Sequence, residues 1–205
     1  MALCVAKIVR RLSAIAPNMF SRFRARWLGF WWGMRLGRRV SMQGKTLVHS
    51  HKMGQIVIGD GVRFNSNPNA NLVGLMNPTI LHTVGDGQII IGAGSGLSAP
   101  VISARTRVKI GCRCFVGGNA RIFDHDFHSV EAKFRNCLSG DTHIRSREVI
   151  VGDDCFIGTN AILLKGTRIG ARSVVAAGSV VFGLEVPEDS IVMGNPARVV
   201  KRIDN

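Results

Sequence analysis

The chain has 205 residues with 24 Gly, 10 Phe, three Trp and no Tyr, and its formal net charge is +14. That length buries one sizeable core, so one domain with an appendage is expected. Residues 1–52 hold 11 Lys and Arg and no acid, while the other 153 residues carry 16 basic and 13 acidic groups; the basic character belongs to one end, which excludes nucleic acid as a partner of the whole chain.

Taking the chain in order, no N-terminal stretch reaches the roughly 18 uninterrupted apolar residues of a spanning helix. Lys7, Arg10 and Arg11 break the apolar runs too early for a cleavable signal. After Pro17, Phe20, Phe23, Trp27, Trp31 and Met34 recur at helical spacing, with Arg22 and Arg26 on the far side. Aromatic rings opposite Arg suit a helix lying in an anionic membrane interface, and peripheral contact through residues 1–40 is the corresponding expectation. The same apolar face would equally cap the open end of a repeat structure. Both uses stand at this point.

Ile58-Gly59, Val62 and Phe64 begin a pattern that residues 65–88, rich in Asn and Gly with Pro68 and Pro78, interrupt as turns and a loop. It returns at Ile91-Gly92 and Leu97, slips near Pro100, and runs cleanly through Ile110-Gly111, Val116-Gly117 and Ile122. From Val151 it is at its clearest: Val151, Ile157, Leu163, Ile169, Val175 and Val181 stand six apart. Cys155, Ala161, Thr167, Ser173 and Ser179 keep a second, small-residue column in phase. A six-residue period is neither helix nor simple strand. It is the signature of a β-solenoid, each hexad supplying a short straight segment and a corner. Cys114 and Cys155 occupy the small slot and read as buried structural thiols in a reducing compartment, not as a disulfide framework.

The expected organisation is a basic amphipathic segment over 1–52, a solenoid over 53–186 and a basic tail over 187–205. Residues 123–149 break the rhythm as an excursion, and long loops on a rigid scaffold carry function. It opens Asp124-His125-Asp126-Phe127-His128, two imidazoles and two carboxylates within five residues.

The hexads, this Asp-His-Asp-Phe-His loop and the ending Gly-Asn-Pro-Ala-Arg-Val-Val-Lys-Arg-Ile together resemble the hexapeptide-repeat acyltransferases, and most of all their sugar and polysaccharide O-acetyltransferase branch. The resemblance covers about residues 55–203. It implies an all-β solenoid in the form of a left-handed parallel β-helix of about 18 residues per turn. A short tail helix, a cytoplasmic homotrimer with sites between subunits, and acetyl-CoA as acyl donor with no metal complete that expectation. The acceptor would be a sugar hydroxyl of cell-surface polysaccharide or glycolipid. An alcohol attacking a thioester needs a base, and an imidazole titrating near neutrality suits that task. The resemblance favours His128 as base, with His125 as rival and Asp126 or Asp124 holding the ring. It implies a donor furrow along Phe156, Gly158, Thr159, Ala177 and Gly178, with Asn195 setting a turn and Arg198 and Lys201 toward the nucleotide phosphates. Phe182-Gly183 departs from a Thr-Lys pair common in that family. Two other readings stay alive: a zinc lyase of the carbonic-anhydrase type using Asp124, His125 and His128 as ligands, and a non-catalytic assembly solenoid.

Overall fold

The computed structural model describes residues 19–204, so expectations that fall on residues 1–18 lie outside the described residues. Helix α1 spans 19–31. The strands then come in threes. The first turn is β1 (Arg35–Leu36), β2 (Ser41–Gly44) and β3 (Thr46–His49); the second is β4 (Ile56–Ile58), β5 (Arg63–Ser66) and β6 (Thr79–Thr83). The third is β7 (Gln88–Ile91), β8 (Gly96–Leu97) and β9 (Val101–Ala104), and the fourth β10 (Arg107–Ile110), β11 (Phe115–Val116) and β12 (Arg121–Phe123). After the excursion come β13 (Val149–Val151), β14 (Phe156–Ile157) and β15 (Ile162–Leu163), then β16 (Arg168–Ile169), β17 (Val174–Val175) and β18 (Val180–Val181). Strands β19 (Glu185–Val186), β20 (Ser190–Gly194) and β21 (Ala197–Arg202) finish the chain.

From β1 to β17 every strand pairs with the third one along. Three flat sheets result: a first, β1-β4-β7-β10-β13-β16-β19; a second, β2-β5-β8-β11-β14-β17-β20-β21; and a third, β3-β6-β9-β12-β15-β18. All neighbours are parallel except β20 and β21. In the regular turns Val151 pairs with Ile169, Ile157 with Val175 and Leu163 with Val181, so one turn is 18 residues. The fold is the left-handed parallel β-helix.

Both sequence columns point inward. Val151, Ile157, Leu163, Ile169, Val175 and Val181 are buried, as are Cys155, Ala161, Thr167, Ser173 and Ser179. The small slot tolerates polar atoms because they find backbone partners on the next turn, Ser179 by accepting Gly194 N (3.3 Å) and others by donating to carbonyls. Ser95 donates to Gly111 O (3.0 Å), Cys114 to Gly152 O (3.1 Å), Cys155 to Gly170 O (3.1 Å) and Ser173 to Pro187 O (3.0 Å). The Gly that follows Val151, Ile157 and Ile169 sits where turns touch: a Cβ on Gly152 would lie 2.7 Å from Ala171 N, so a side chain there would wedge the stack apart.

Three expectations need correction. The solenoid begins at Arg35, not 53: β1 pairs with β4, and Val40, Met42 and Val48 fill the first turn's core without a Gly-marked hexad. The tail forms no helix. Strand β21 folds back antiparallel on β20, because Val199-Val200 suits an extended chain and β20 otherwise presents an open edge. Helix α1 does cap the prism, but with the opposite face from the one expected. Ser21, Ala25 and Leu28 pack on the first turn, whereas Phe20, Phe23, Trp27 and Trp31 are exposed. Met34 is buried beyond the helix end.

Candidate active site

The excursion leaves β12 and returns at β13 on the corner between the third and first sheets, and its root is tied down tightly. Asp124 is fully buried and accepts the N–H groups of Arg105 and Thr106, each at 2.7 Å, closing the gap the departing chain leaves in the stack. Its carbonyl accepts Arg147 N (2.8 Å), and Asp126 N donates to Arg145 O (2.9 Å). Asp126 pairs with Lys165 of the next turn, whose Nζ also lies 5.7 Å from the Phe182 ring centre. Glu148 receives both Arg107 and Arg168, and the guanidinium bonds, Arg107 first, hold its carboxyl below the usual range.

The two loop imidazoles have different surroundings. His125 is buried, its Nδ1 2.8 Å from Asp124 Oδ1 and its ring 4.9 Å from Phe127. The His128 side chain is 70% exposed, with Nδ1 3.8 Å from Asp141 Oδ2. Asp141 is itself mostly buried and is fixed by Ser129, which donates its N–H (2.6 Å) and its hydroxyl. Those Ser129 hydrogen bonds keep the Asp141 carboxyl below its ordinary range, so it is an anion throughout the neutral region. Helix α2 (Ala132–Arg135) braces the tip, Arg135 donating to the carbonyls of Ser129 and Val130 at 2.9 Å. Arg145 pairs with Glu131, and His143 stacks on Phe134 at 3.5 Å.

The expected carboxylates therefore sit elsewhere than beside His128. Asp124 serves His125 and the backbone, Asp126 serves Lys165, and the carboxylate behind His128 is Asp141, which sequence reasoning missed. No spacing signal marked it, since it follows Gly140 in the irregular part of the loop. Lys165 was missed for a different reason: it occupies an ordinary polar position of its hexad. Within one subunit Asp124, His125 and His128 do not converge as a ligand set, and among the described residues no group of three or more His, Cys, Asp or Glu is arranged to hold a metal ion.

The furrow residues do come together. Gly158 and Thr159 of the fifth turn stack under Ala177 and Gly178 of the sixth, with Gly178 N donating to Thr159 O (2.9 Å) and Gly158 N to Val175 O (2.8 Å). The hairpin apex Asn195-Pro196 ends the same column, and Phe156 lies half-exposed beside it on the second sheet. Ala177 and Gly178 are exposed, and a Cβ on Gly178 would meet nothing within 4 Å, so bare backbone faces outward there. Strand β21 runs back from this corner, leaving Arg198 near it and carrying Lys201 toward the other edge of the sheet. Residues 67–78 form the loop expected within 65–88, although Thr79–Thr83 of that stretch is strand β6; the loop closes the column's lower end, where Asn119 binds Met76 N (2.8 Å) and Gly74 O (2.9 Å). The column lies on the corner between the second and third sheets. The His128 loop leaves the far corner of the third sheet, so the width of that sheet separates the two.

With this geometry in hand, comparison with known proteins is informative. A family model described as the hexapeptide repeat of succinyl-transferase matches residues 148–182. That stretch, β13 to β18, is thus a hexapeptide-repeat segment. A 55-residue stretch is 51% identical to a 2,3,4,5-tetrahydropyridine-2,6-dicarboxylate N-acetyltransferase of Clostridium perfringens, covering 27% of this chain and 23% of that one. The chain thus spans about a quarter of the length of the curated relatives it matches. Among solved structures, a hexapeptide-repeat acetyltransferase of Vibrio cholerae complexed with acetyl coenzyme A superposes with TM-score 0.61 at 24% identity, covering 90% of this chain and 78% of that one. A maltose O-acetyltransferase of Clostridium difficile gives 0.56 at 20% identity, covering 93% and 88%. At these identities the structural likeness speaks for the shared fold of the hexapeptide-repeat chain.

Proposed function

We propose that the chain is an acetyl-CoA-dependent O-acetyltransferase acting on a sugar hydroxyl in cell-surface polysaccharide or glycolipid synthesis on the cytoplasmic side of the membrane. The observation that carries this reading is the outward-facing His128 imidazole backed by the anchored Asp141 carboxylate. With Nδ1 turned toward Asp141, Nε2 is free to take the acceptor's hydroxyl proton as its oxygen attacks a thioester carbonyl. Asp141 then faces the imidazolium, and His128 returns that proton to the leaving sulfur once the C–S bond breaks. His125 is the weaker choice of base, since its ring is buried and its Nδ1 is committed to a carboxylate that closes the backbone stack.

The acyl donor supplies an activated acetyl thioester. The residues that would hold it are Phe156, Gly158, Thr159, Ala177 and Gly178, because their exposed small-residue corner admits a thin extended chain against backbone. Arg198, on β21 near that corner, would be the first cation to meet the nucleotide phosphates, ahead of the more distant Lys201. Since the third sheet separates this furrow from His128 within one chain, the reading requires a site shared between subunits, in keeping with a homotrimer. The relatives include an N-acetyltransferase, so an amine acceptor is the alternative.

The test is His128→Ala against His125→Ala. His128→Ala should abolish acetyl transfer while acetyl-CoA affinity by calorimetry stays within about twofold, because a base contributes little to ground-state binding. Normal turnover in His128→Ala with loss in His125→Ala would reverse the assignment. Absence of acetyl-CoA binding in the intact protein would sink the whole reading.

A further inference from the structure

Helix α1 carries more apolar surface than the cap uses. At 100° per residue, Phe20, Phe23, Trp27, Phe30 and Trp31 fall within an arc of about 100°. All five are exposed, from 53% for Trp27 to 81% for Phe30. The arc lies opposite Ser21, Ala25 and Leu28, which hold the helix on the first turn. A soluble surface seldom presents five large rings side by side. Between this face and the start of β3 runs a groove of about 480 Å³ walled by Phe20, Phe23, Trp27 and Leu28, with Arg24 and Lys45 at its rim.

The charges around the face have one sign. Arg22, Arg24, Arg26, Arg39 and Lys45 surround it, and none of them has an ion pair among the described residues. The first carboxylate of the sequence is Asp60, which pairs with Arg38. A second copy of the chain laid on this face would set Arg against Arg, which disfavours self-association. The charged residues of 1–18 are all cations, Lys7, Arg10 and Arg11. An anionic lipid surface answers both features: its interface receives Trp and Phe rings, and its headgroups take up the flanking cations. Among the described residues no helix is long and apolar enough to cross a membrane.

We infer that the outer face of α1 docks the N-terminal end of the prism on an anionic phospholipid bilayer, the rings entering the interface and Arg22, Arg24, Arg26 and Lys45 meeting lipid phosphates. This does not rest on acyl transfer. Docking can fail with catalysis intact, and catalysis can fail with docking intact.

The full-length protein would be floated with vesicles of phosphatidylcholine alone and with vesicles containing phosphatidylglycerol. Flotation is expected with the anionic vesicles only, and it should fall as salt rises. The combined substitution Phe23→Ser, Trp27→Ser, Trp31→Ser should abolish it, and Arg22→Gln with Arg26→Gln should shift it to lower salt. Should the aromatic variant misfold by circular dichroism, quenching of wild-type Trp fluorescence by lipids brominated on the acyl chain gives the independent readout. Quenching supports docking, and its absence overturns it. Equal flotation with neutral vesicles overturns the role given to charge. No flotation, combined with a lower oligomeric order of the aromatic variant in sedimentation, would assign the face to a second copy and overturn the inference.

Discussion

Replacing Asp141 by Asn removes a charge while keeping size and shape, and its effect on turnover follows from one distance. Asp141 Oδ2 lies 3.8 Å from His128 Nδ1. Opposite unit charges at that separation attract by about 1 kcal/mol in water and by about 4 kcal/mol at an effective dielectric near 20. In the free subunit the 70% exposed His128 side chain sits near the watery limit, whereas acceptor and donor would dry the site. Through the transition-state relation those bounds mean a fall in kcat of about fivefold to a thousandfold, and a partly dried site predicts about 10- to 100-fold. Steady-state kinetics should show that fall with KM for acetyl-CoA within about twofold, since the charge acts when imidazolium forms. Asp141→Glu should restore part of the loss. Ser129→Ala keeps the carboxylate and deletes only the hydroxyl that holds it, so it should cost less than Asp141→Asn. Wild-type kcat in Asp141→Asn, in a protein whose His128→Ala form is inactive, would refute the positioning role. A fall in thermal stability that accounted for all lost activity would refute it as well.

Two further outcomes are expected. Co-expressing His128→Ala chains with Ala177→Trp chains, each inactive alone, should restore activity by pairing an intact loop with an intact furrow; purified mixed oligomers with no activity would place both halves of the site in one chain. His82 is pushed down chiefly by burial, then by His49 and His125, so the unfolded chain binds its proton more readily than the folded one does. Stability should therefore decline as pH falls below about 6.5, the ordinary His value, toward the lowered folded one. Urea titrations of His82→Gln should show a flatter decline between pH 7.5 and 5.5 than wild type, on the order of one proton less in the linkage slope.

The sequence revealed the fold where each turn is made of hexads. From β13 to β18 the aliphatic and small columns keep phase, because a turn of 18 residues leaves no slack. The first turn was illegible: Met42 and Val48 fill it from strands of four residues with no Gly-marked corner. The tail misled because Arg-Val-Val-Lys-Arg reads as amphipathic in isolation, and only the open edge of β20 selects the strand. The site was legible in its chemistry and not in its pairings. Two imidazoles and two carboxylates within five residues announce a loaded loop. Yet the partners that set their roles are Ser129, Asp141 and Lys165, and the last two stand 13 or more residues from His128 in sequence, brought near by folding alone. The charge asymmetry identified α1 as special, but its spacing had no means to tell which face would be outermost.

The division of the loop into a fixed root and an exposed tip explains why both imidazoles are there. A chain that leaves a stacked prism for two dozen residues strips hydrogen-bond partners from the turn below, and unpaired buried N–H groups are costly. Asp124 meets that cost at Arg105 and Thr106, and His125, bonded to the same carboxylate, packs the root against Phe127. Two salt-bridge knots, Asp126 with Lys165 and Glu148 with Arg107 and Arg168, fasten the loop to adjacent turns. Beyond these anchors the chain turns His128 toward solvent, with the Asp141 carboxylate 3.8 Å behind it. On this argument His125 and His128 are not interchangeable candidates for one task. The first lets the loop leave the scaffold without loosening it; the second stands on the loop so anchored, and the proposed shared site would use that fixed base to bring it to a neighbouring furrow.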